Sequence, residues 1–432
     1  MEKIKLSDVL IKKTLRLKDV PEIKDPLVLG VTNNEGVVIS KIDAGQKVED
    51  YFVIEKGDFV YNPYRINVGS IGISELNGIT SLAYVVFNVD ETKLNKYLLY
   101  KILKSDFGIK EIVRNGRGSV RNALRFDDLA KIELTLPPIE KQNKFIQDFK
   151  KKEEKIYKLK KNFSHQLSLL ENLNQAILQE AVQGKLAPQN PNDEPATELL
   201  KRIKAEKATL RQAQGSKKIK ELPPIKPEEI PFEIPESWIW CRLIDVGTTQ
   251  TGTTPPTANK EYFGKDIPFI KPADISLSGI DYENEGLTLA GLEKGVLIKE
   301  DSLMMVCIGG STGKSNFTNR DVSCNQQINA IKGLCEVSGQ FLQYFLQSPY
   351  FQKAIWAKSS GGTTPIVNKS KWESIHIPLP PLSEQKRIVA EIEKQFAKTK
   401  QLKAHILANR QATEQLLKAL LHGAFEVEEK EN

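Results

Sequence analysis

The sequence predicts an α+β fold in which two mixed α/β domains alternate with two long helices, the halves related by an internal repeat. Three observations predict it. First, Leu134-Thr135-Leu136-Pro137-Pro138-Ile139-Glu140-Lys141-Gln142 returns 243 residues later as Ile377-Pro378-Leu379-Pro380-Pro381-Leu382-Ser383-Glu384-Gln385. Second, each copy closes a region of short strand-like runs and opens a stretch with apolar residues every seven positions. Third, local echoes keep the same offset, Gly57-Asp58-Phe59-Val60 against Glu300-Asp301-Ser302-Leu303 and Leu129-x-x-Ile132 against Trp372-x-x-Ile375.

Residues 1–137 form the first domain. Leu27 to Val31, Phe59-Val60-Tyr61 and Ala83 to Val89 are strand-like, and Lys93 to Ser105 has helical spacing. Residues 138–184 form the first long helix. Pro137-Pro138 stops the strand and suits a helix start. Its heptad positions are Phe149, Ile156, Phe163, Leu170 and Ile177, with Leu159 and Leu173 between them, while Lys152, Gln166 and Glu180 interrupt the alternate row. Residues 185–230 are a proline-rich linker with a charged helical stretch from Thr197 to Gln212. Residues 231–379 repeat the domain plan, with Trp238 to Val246, Ile267 to Ile270 and Ser302 to Ile308 strand-like and Phe341 to Lys358 helical. Residues 380–425 form the second helix, with Ile392, Thr399, Ile406, Thr413 and Leu420 on the heptad and Leu402 and Leu416 between them. Residues 426–432 are an acidic tail. Heptads sustained over five repeats predict a coiled-coil seam, and the obvious partner for each helix is the other. A helix from Pro138 to Gln183 spans roughly 65–70 Å, about two turns of B-DNA.

At 432 residues the chain fits two to four domains. With 40% hydrophobic and 27% charged residues, and no run near the roughly 18 apolar residues of a membrane span, it is expected to be a cytoplasmic, non-membrane protein. Met1-Glu2-Lys3-Ile4-Lys5 lacks the apolar stretch of a signal peptide. Cys241, Cys307, Cys324 and Cys335 form no C-x-x-C pair, and four histidines leave little material for a metal site. A net charge of +7 and a pI near 8.9 lean mildly toward a polyanionic partner.

No residue pattern argues for catalysis or a metal. Gly309-Gly310-Ser311-Thr312-Gly313-Lys314-Ser315 ends like a phosphate-binding loop, yet Ile308 stands where that loop needs its first glycine and a poor helix follows. A glycine turn presenting Lys314 to a phosphate backbone is the preferred reading. Asn62-Pro63-Tyr64 is similar to the Asn-Pro-Pro-Tyr loop of DNA amino-methyltransferases but lacks one proline and a glycine-rich cofactor loop. Two basic, glycine-punctuated segments stand at equivalent places before the Pro-Pro marks, Arg114 to Asn122 and Lys358 to Lys369. Arginine grips guanine or phosphate bidentately, asparagine pairs with adenine, and glycine lets the backbone approach. An ordinary solvated loop is the plain alternative, weakened by the recurrence. Tyr61, Tyr64, Trp238, Trp240 and Trp356 are expected in core or turn packing, and Lys150 to Lys161 as a solvated helix face.

The whole arrangement resembles the specificity subunits of type I restriction–modification systems. The resemblance rests on the two Leu-Pro-Pro-(Ile/Leu) helix starts, Ile234-Pro235-Glu236-Ser237-Trp238, Thr251-Gly252-Thr253-Thr254-Pro255, Cys324-Asn325-Gln326-Gln327 and Asn368-Lys369. It implies two target-recognition domains separated by two long helices that form an antiparallel coiled coil with a pseudo-two-fold repeat. It also implies a non-catalytic chain that reads a bipartite double-stranded DNA target, the helices fixing the unread gap. Implied partners are two adenine methyltransferase subunits using S-adenosylmethionine and restriction/motor subunits using ATP and Mg; the chain itself binds no cofactor. Candidate DNA contacts are Arg65, Arg114, Arg117, Arg121 and Asn122 in the first domain, and Thr253, Thr254, Lys314, Gly362, Thr363, Thr364, Asn368 and Lys369 in the second. A coiled-coil scaffold with two protein-binding domains is the alternative from another class.

Overall fold

The structure, a computed structural model, describes residues 2–40, 47–117, 123–213, 223–362 and 364–422. It divides into two compact units, Met1–Ser164 with Ile406–Asn432, and His165–His405.

In unit one, β1 (Glu2–Lys5), β2 (Leu10–Lys13), β3 (Phe59–Tyr61), β4 (Ile71–Ile73) and β5 (Val85–Val89) precede α1 (Lys96–Lys104), α2 (Asp106–Asn115) and α3 (Phe126–Leu129). Then come β6 (Glu133–Leu136) and the start of α4 (Ile139–Val182). The main sheet is antiparallel in the order β2-β5-β3-β4, and β1 pairs separately with β6. Strand β3 is buried on both faces, which is why it reads as an unbroken apolar run rather than an alternation. Phe59 and Tyr61 join the larger core, Phe59 stacking on Phe87 at 4.7 Å, while Val60 joins a smaller core with Leu29, Ile54 and Val86. Asn95 caps α1 by accepting from the Leu98 amide, and Ser105 caps α2 by accepting from Gly108.

Unit two opens on the last part of α4 and continues with α5 (Ala196–Ala213), β7 (Ile239–Arg242), β8 (Gly247–Thr251), β9 (Ser302–Val306), β10 (Ser315–Phe317) and β11 (Ile328–Gly333). There follow α6 (Gly339–Gln347), α7 (Pro349–Lys358), α8 (Lys369–Glu373), β12 (His376–Leu379) and α9 (Leu382–His422). Its sheet order, β8-β11-β9-β10, is that of unit one, and β7 pairs with β12 as β1 does with β6. From β3 and β9 onward the equivalent elements start 243 residues apart, save β4 and β10 at 244: α1 and α6, α2 and α7, α3 and α8, β6 and β12, α4 and α9. Before that point the offset is 237, as for β2 and β8, so unit two holds six extra residues between those strands. There it carries a strand over Phe263–Ile270 that pairs with Gly286–Leu287 and Ser323–Cys324.

The repeated Pro-Pro motif has a physical cause. The Gln142 side chain turns back to donate to the Pro137 carbonyl at 2.8 Å, and Gln385 donates to Pro380 at 3.1 Å. Each buried glutamine thus satisfies a carbonyl that has left the strand and has no helical donor. At the other end of α4, Gly184 takes φ +71°, the left-handed conformation that closes a helix.

The two long helices run 44 and 41 residues. Within unit two, Ile177, Leu178, Ala181 and Val182 share a core with Ile388 and Ile392, and Thr399 donates to Asn174 at 2.8 Å. Within unit one, Lys160 pairs with Glu414 at 3.2 Å. Rising numbers on α4 therefore meet falling numbers on α9. On the heptad line, Phe149, Ile156, Ile177, Ile392 and Thr399 are buried, and Phe163, Leu170, Ile406, Thr413 and Leu420 are half-buried. The intervening leucines depart from the expected seam: Leu159, Leu173, Leu402 and Leu416 are 44%, 46%, 52% and 56% exposed. Their row alternates with Lys152, Gln166 and Glu180 on one helix and Gln395 and Asn409 on the other. No continuous apolar ridge exists there to face them, so the seam is one row wide.

The linker is also more than a crossover. Helix α5 buries Ala196, Leu199, Leu200 and Ile203 in the core of unit two. Its Lys207 reaches the carbonyls of Ile244 and Gly247, and burial pushes the ammonium pKa down to about 8. The acidic tail, residues 426–432, lies outside the described residues. No helix among those described is long and apolar enough to cross a membrane.

Candidate nucleic-acid interface

In unit one, the turn joining β3 to β4 is laced to the loop that joins α2 to α3. The Leu124 amide donates to the Pro63 carbonyl at 3.0 Å, and the buried Tyr61 hydroxyl donates to the Leu124 carbonyl at 3.1 Å. Arg117 and Ala123 bridge across the base of the loop. Unit two repeats the clamp between the β9–β10 turn and the α7–α8 loop. There the Val367 amide donates to the Cys307 carbonyl at 2.8 Å, and Gly309 donates to Pro365 at 2.9 Å. Leu124 and Val367 stand 243 residues apart. Each unit therefore offers two adjacent loops on one frame.

Arg65 is exposed in the first turn, immediately before the buried Ile66 that anchors it. Arg114 is exposed, with Glu111 3.5 Å away. Arg117 is partly committed to the fold, its guanidinium 2.8 Å from the buried Asp128 carboxylate. The Lys131 hydrogen bond, with Arg117 beside it, holds that carboxyl below its usual range. Because the folded pKa is depressed, this ion cluster stabilises unit one above the ordinary aspartate range and loses its contribution as pH falls through the folded value. Arg121, Asn122 and Thr363 lie outside the described residues.

In unit two the segments quoted from the sequence meet. Gly252 donates to the Ile328 carbonyl at 3.0 Å and Thr253 to Cys324 at 2.9 Å, while the Thr254 hydroxyl donates to Gln326 at 2.6 Å. A Cβ on Gly252 would lie 2.1 Å from the Asn325 carbonyl oxygen and 2.5 Å from that of Cys324, so only glycine fits. Gln327 accepts from the Asn325 side chain at 2.9 Å and donates to the Ile308 carbonyl at 3.3 Å. The adjacent Gln326 and Gln327 thus tie Thr254 on one side and the β9–β10 turn on the other, and Gly309 of that turn reaches Pro365. Lys314, Gly362 and Thr364 are exposed around this network. Asn368 and Lys369 are engaged by the protein itself. The former caps α8 by accepting from Lys371, and the latter donates to the Thr249 carbonyl at 3.0 Å.

The Gly309–Ser315 segment is a hairpin turn: Gly313 donates to Val306 at 2.9 Å, Thr312 donates back to Gly309, and strand β10 follows. A phosphate-binding loop needs a helix there, whose free amides cradle the phosphates. Among the described residues no group of three His, Cys, Asp or Glu could hold a metal ion. Tyr61 and Trp238 are buried, as expected of core aromatics, whereas Tyr64 and Trp356 are largely exposed. The sequence places Tyr64 in core or turn packing and does not mark Asp128 or Gln327 as candidate contacts; the position of Gln327 in the quoted Asn-Gln-Gln run was the available signal.

Residues 235–409 match the family described as the type I restriction modification DNA specificity domain. The chain is 34% identical over 264 residues to the type I restriction enzyme EcoAI specificity subunit of Escherichia coli, and 30% identical over 272 residues to the EcoEI specificity subunit of the same species. Each match takes in 59% of this chain but only 44% and 45% of those proteins, so the chain spans less than half of their length. The putative MjaX specificity subunit of Methanocaldococcus jannaschii is 23% identical over 87% of this chain and 85% of that protein. Among solved structures, a chain from work on complex assembly and conformational transition of the type I R-M system covers 99% of this chain and 97% of its own, at 17% identity and a TM-score of 0.72. The HsdS subunit from Thermoanaerobacter tengcongensis covers 99% and 96%, at 17% identity and 0.58. Those two likenesses carry the fold. Beside them, residues 235–409 carry the matched specificity domain, and the chain is similar to curated type I restriction enzyme specificity subunits.

Proposed function

We propose that this chain is the non-catalytic, DNA-reading subunit of a type I restriction–modification complex. Unit one takes one half of a bipartite duplex target and unit two the other. The observation that carries the reading is the pair of laced loops, built by the same backbone hydrogen bond in both units and furnished with different side chains. A common frame with divergent tips is what reading two different half-sites requires, because phosphate contacts position a reader and base contacts specify. Arg65, Arg114 and the Arg121–Asn122 pair would serve unit one. Thr253, Thr254, Lys314, Gly362, Thr363 and Thr364 would serve unit two, with Arg117, Asn368 and Lys369 shaping the loops.

Two methyltransferase subunits, which would modify adenine with S-adenosylmethionine, and ATP- and Mg-dependent motor nuclease subunits complete the proposed assembly. The exposed leucines of α4 and α9 offer partner subunits an apolar row. Mapping N6-methyladenine in cells that carry the cognate methyltransferase, with and without this chain, tests the reading. A two-part motif present only with the chain is expected, and exchanging residues 231–379 should change one half of it. An active methyltransferase with no chain-dependent motif would exclude the role.

A further inference from the structure

The turn between β3 and β4 departs from its counterpart in unit two in one respect. Its tip carries an aromatic ring that the fold does not use. Tyr64 is 61% exposed, although the turn that holds it is tightly built. Asn62 accepts the Tyr64 amide on its side chain at 3.0 Å and the Arg65 amide on its carbonyl at 3.0 Å. Ser70 donates to Arg65 at 3.1 Å, Ile66 is fully buried below, and Gly69 closes the turn at φ +87°. The lacing to Leu124 holds the preceding proline. The ring therefore projects from a pre-formed support, flanked by the exposed Arg65 and Val68.

A single exposed tyrosine on a protein surface is unremarkable. Three further facts set this one apart. It stands on the loop pair that carries the exposed arginines. Asn62, Pro63 and the backbone pin its position, so little side-chain or loop entropy is lost when a partner meets it. And in unit two, where the Val306–Lys314 backbone bond matches Asn62–Ser70, the residue at the place of Tyr64 is Ile308, so the shared frame does not require an aromatic ring.

We infer that Tyr64 is a specificity-determining residue of unit one whose ring inserts against a base step of the duplex, with Arg65 on the adjoining phosphate. This rests on the DNA-reading role proposed above. A wedge partly unstacks a step and bends the duplex toward more contacts, and flexible pyrimidine–purine steps yield to it most readily. Unit two, where Ile308 stands at that place and Gly309 and Gly310 follow it, would approach its half-site through backbone instead.

The test uses the full chain assembled with its methyltransferase subunits and duplexes bearing the mapped target, with 2-aminopurine placed at each purine of the two half-sites in turn. The wild-type complex should raise the fluorescence at one step of the unit-one half-site. Tyr64→Ala should abolish that rise and weaken binding about 5- to 150-fold, the range of one aromatic–base contact. The salt slope should stay unchanged, because no charge is removed. Tyr64→Phe should keep both properties, and Arg65→Ala should flatten the salt slope by about one unit. Tyr64→Ala binding within twofold of wild type overturns the inference. So does a loss of affinity without any fluorescence change in wild type, or a Tyr64→Phe variant as weak as Tyr64→Ala. A wild-type complex that shows no preference for the mapped target over unrelated duplex fails at the earlier step, and the DNA-reading role falls with it.

Discussion

The two units share a frame and differ at its tips. Both have the same four-stranded sheet order, the same terminal strand pair and the same three helices, and from β3 and β9 onward every equivalent pair starts 243 residues apart except β4 and β10, at 244. The difference lies between β2 and β3 and their counterparts, where unit two is six residues longer and has the Phe263–Ile270 strand where unit one has the shorter strands Leu29–Thr32, Gly36–Ile39 and Phe52–Ile54. It also lies in the turns, where Tyr64-Arg65 of one unit corresponds to Ile308-Gly309 of the other. The frame is determined by burial and by backbone hydrogen bonds that any suitable apolar sequence supplies. The tips carry little of that burden and are free to diverge.

The comparison breaks most visibly at the shared seam position. Phe149 and Ile392 are equivalent and both buried, so Phe149→Ala is expected to cost about 3–5 kcal/mol and Ile392→Ala about 2–5 kcal/mol. Leu402→Ala, at an exposed position of the neighbouring row, should stay within about 0.5 kcal/mol. Urea denaturation of the three variants checks this; equal losses at Leu402 and Ile392 would restore a two-row seam. A smaller effect is expected where the units part company. Gly252→Ala should cost about 1–3 kcal/mol, because the new methyl group meets two backbone carbonyls that have no room to yield. The corresponding residue of unit one, Leu15, is exposed, and Leu15→Ala should leave the denaturation midpoint almost unchanged. The smallest contrast concerns the repeated glutamine. Gln142 donates to Lys93 and Pro137 and accepts from the Asn95 amide, whereas the Gln385 side-chain oxygen has no partner among the described residues. Gln142→Ala should therefore destabilise more than Gln385→Ala, at about 1–3 against about 1 kcal/mol. The reverse order in thermal midpoints would mean that the first junction does not depend on those bonds.

What was legible in the sequence was what repeats locally. Pro-Pro followed by heptads announces a strand end and a long helix within one window, so the bounds of α4 and α9 fall close to where the residues place them. The duplication was legible because aligned residues such as Leu129-x-x-Ile132 occupy equivalent core positions. The exposure of Leu159 or Leu402 was not, because a heptad position says which side of a helix a residue lies on and nothing about what faces it. The linker helix misled for a related reason. Its charged residues dominate the composition, yet four small or apolar residues spaced along one face bury it. In the interface, Asn368 and Lys369 drew notice for their chemistry, and the fold spends that chemistry on a helix cap and a strand carbonyl. Tyr64 went the other way, since nothing local reveals that the ring has no pocket.

The contact between Thr399 and Asn174 has one more consequence. A seam of aliphatic side chains alone resists sliding poorly, since each knob finds a similar hole one heptad away. Here a slip of seven residues would set Asn174 against Ile392 in place of Thr399, stranding an amide inside the seam at a cost of about 1–3 kcal/mol. The polar pair is a detent: weak as an adhesive, it selects one alignment of the rods and rejects its neighbours.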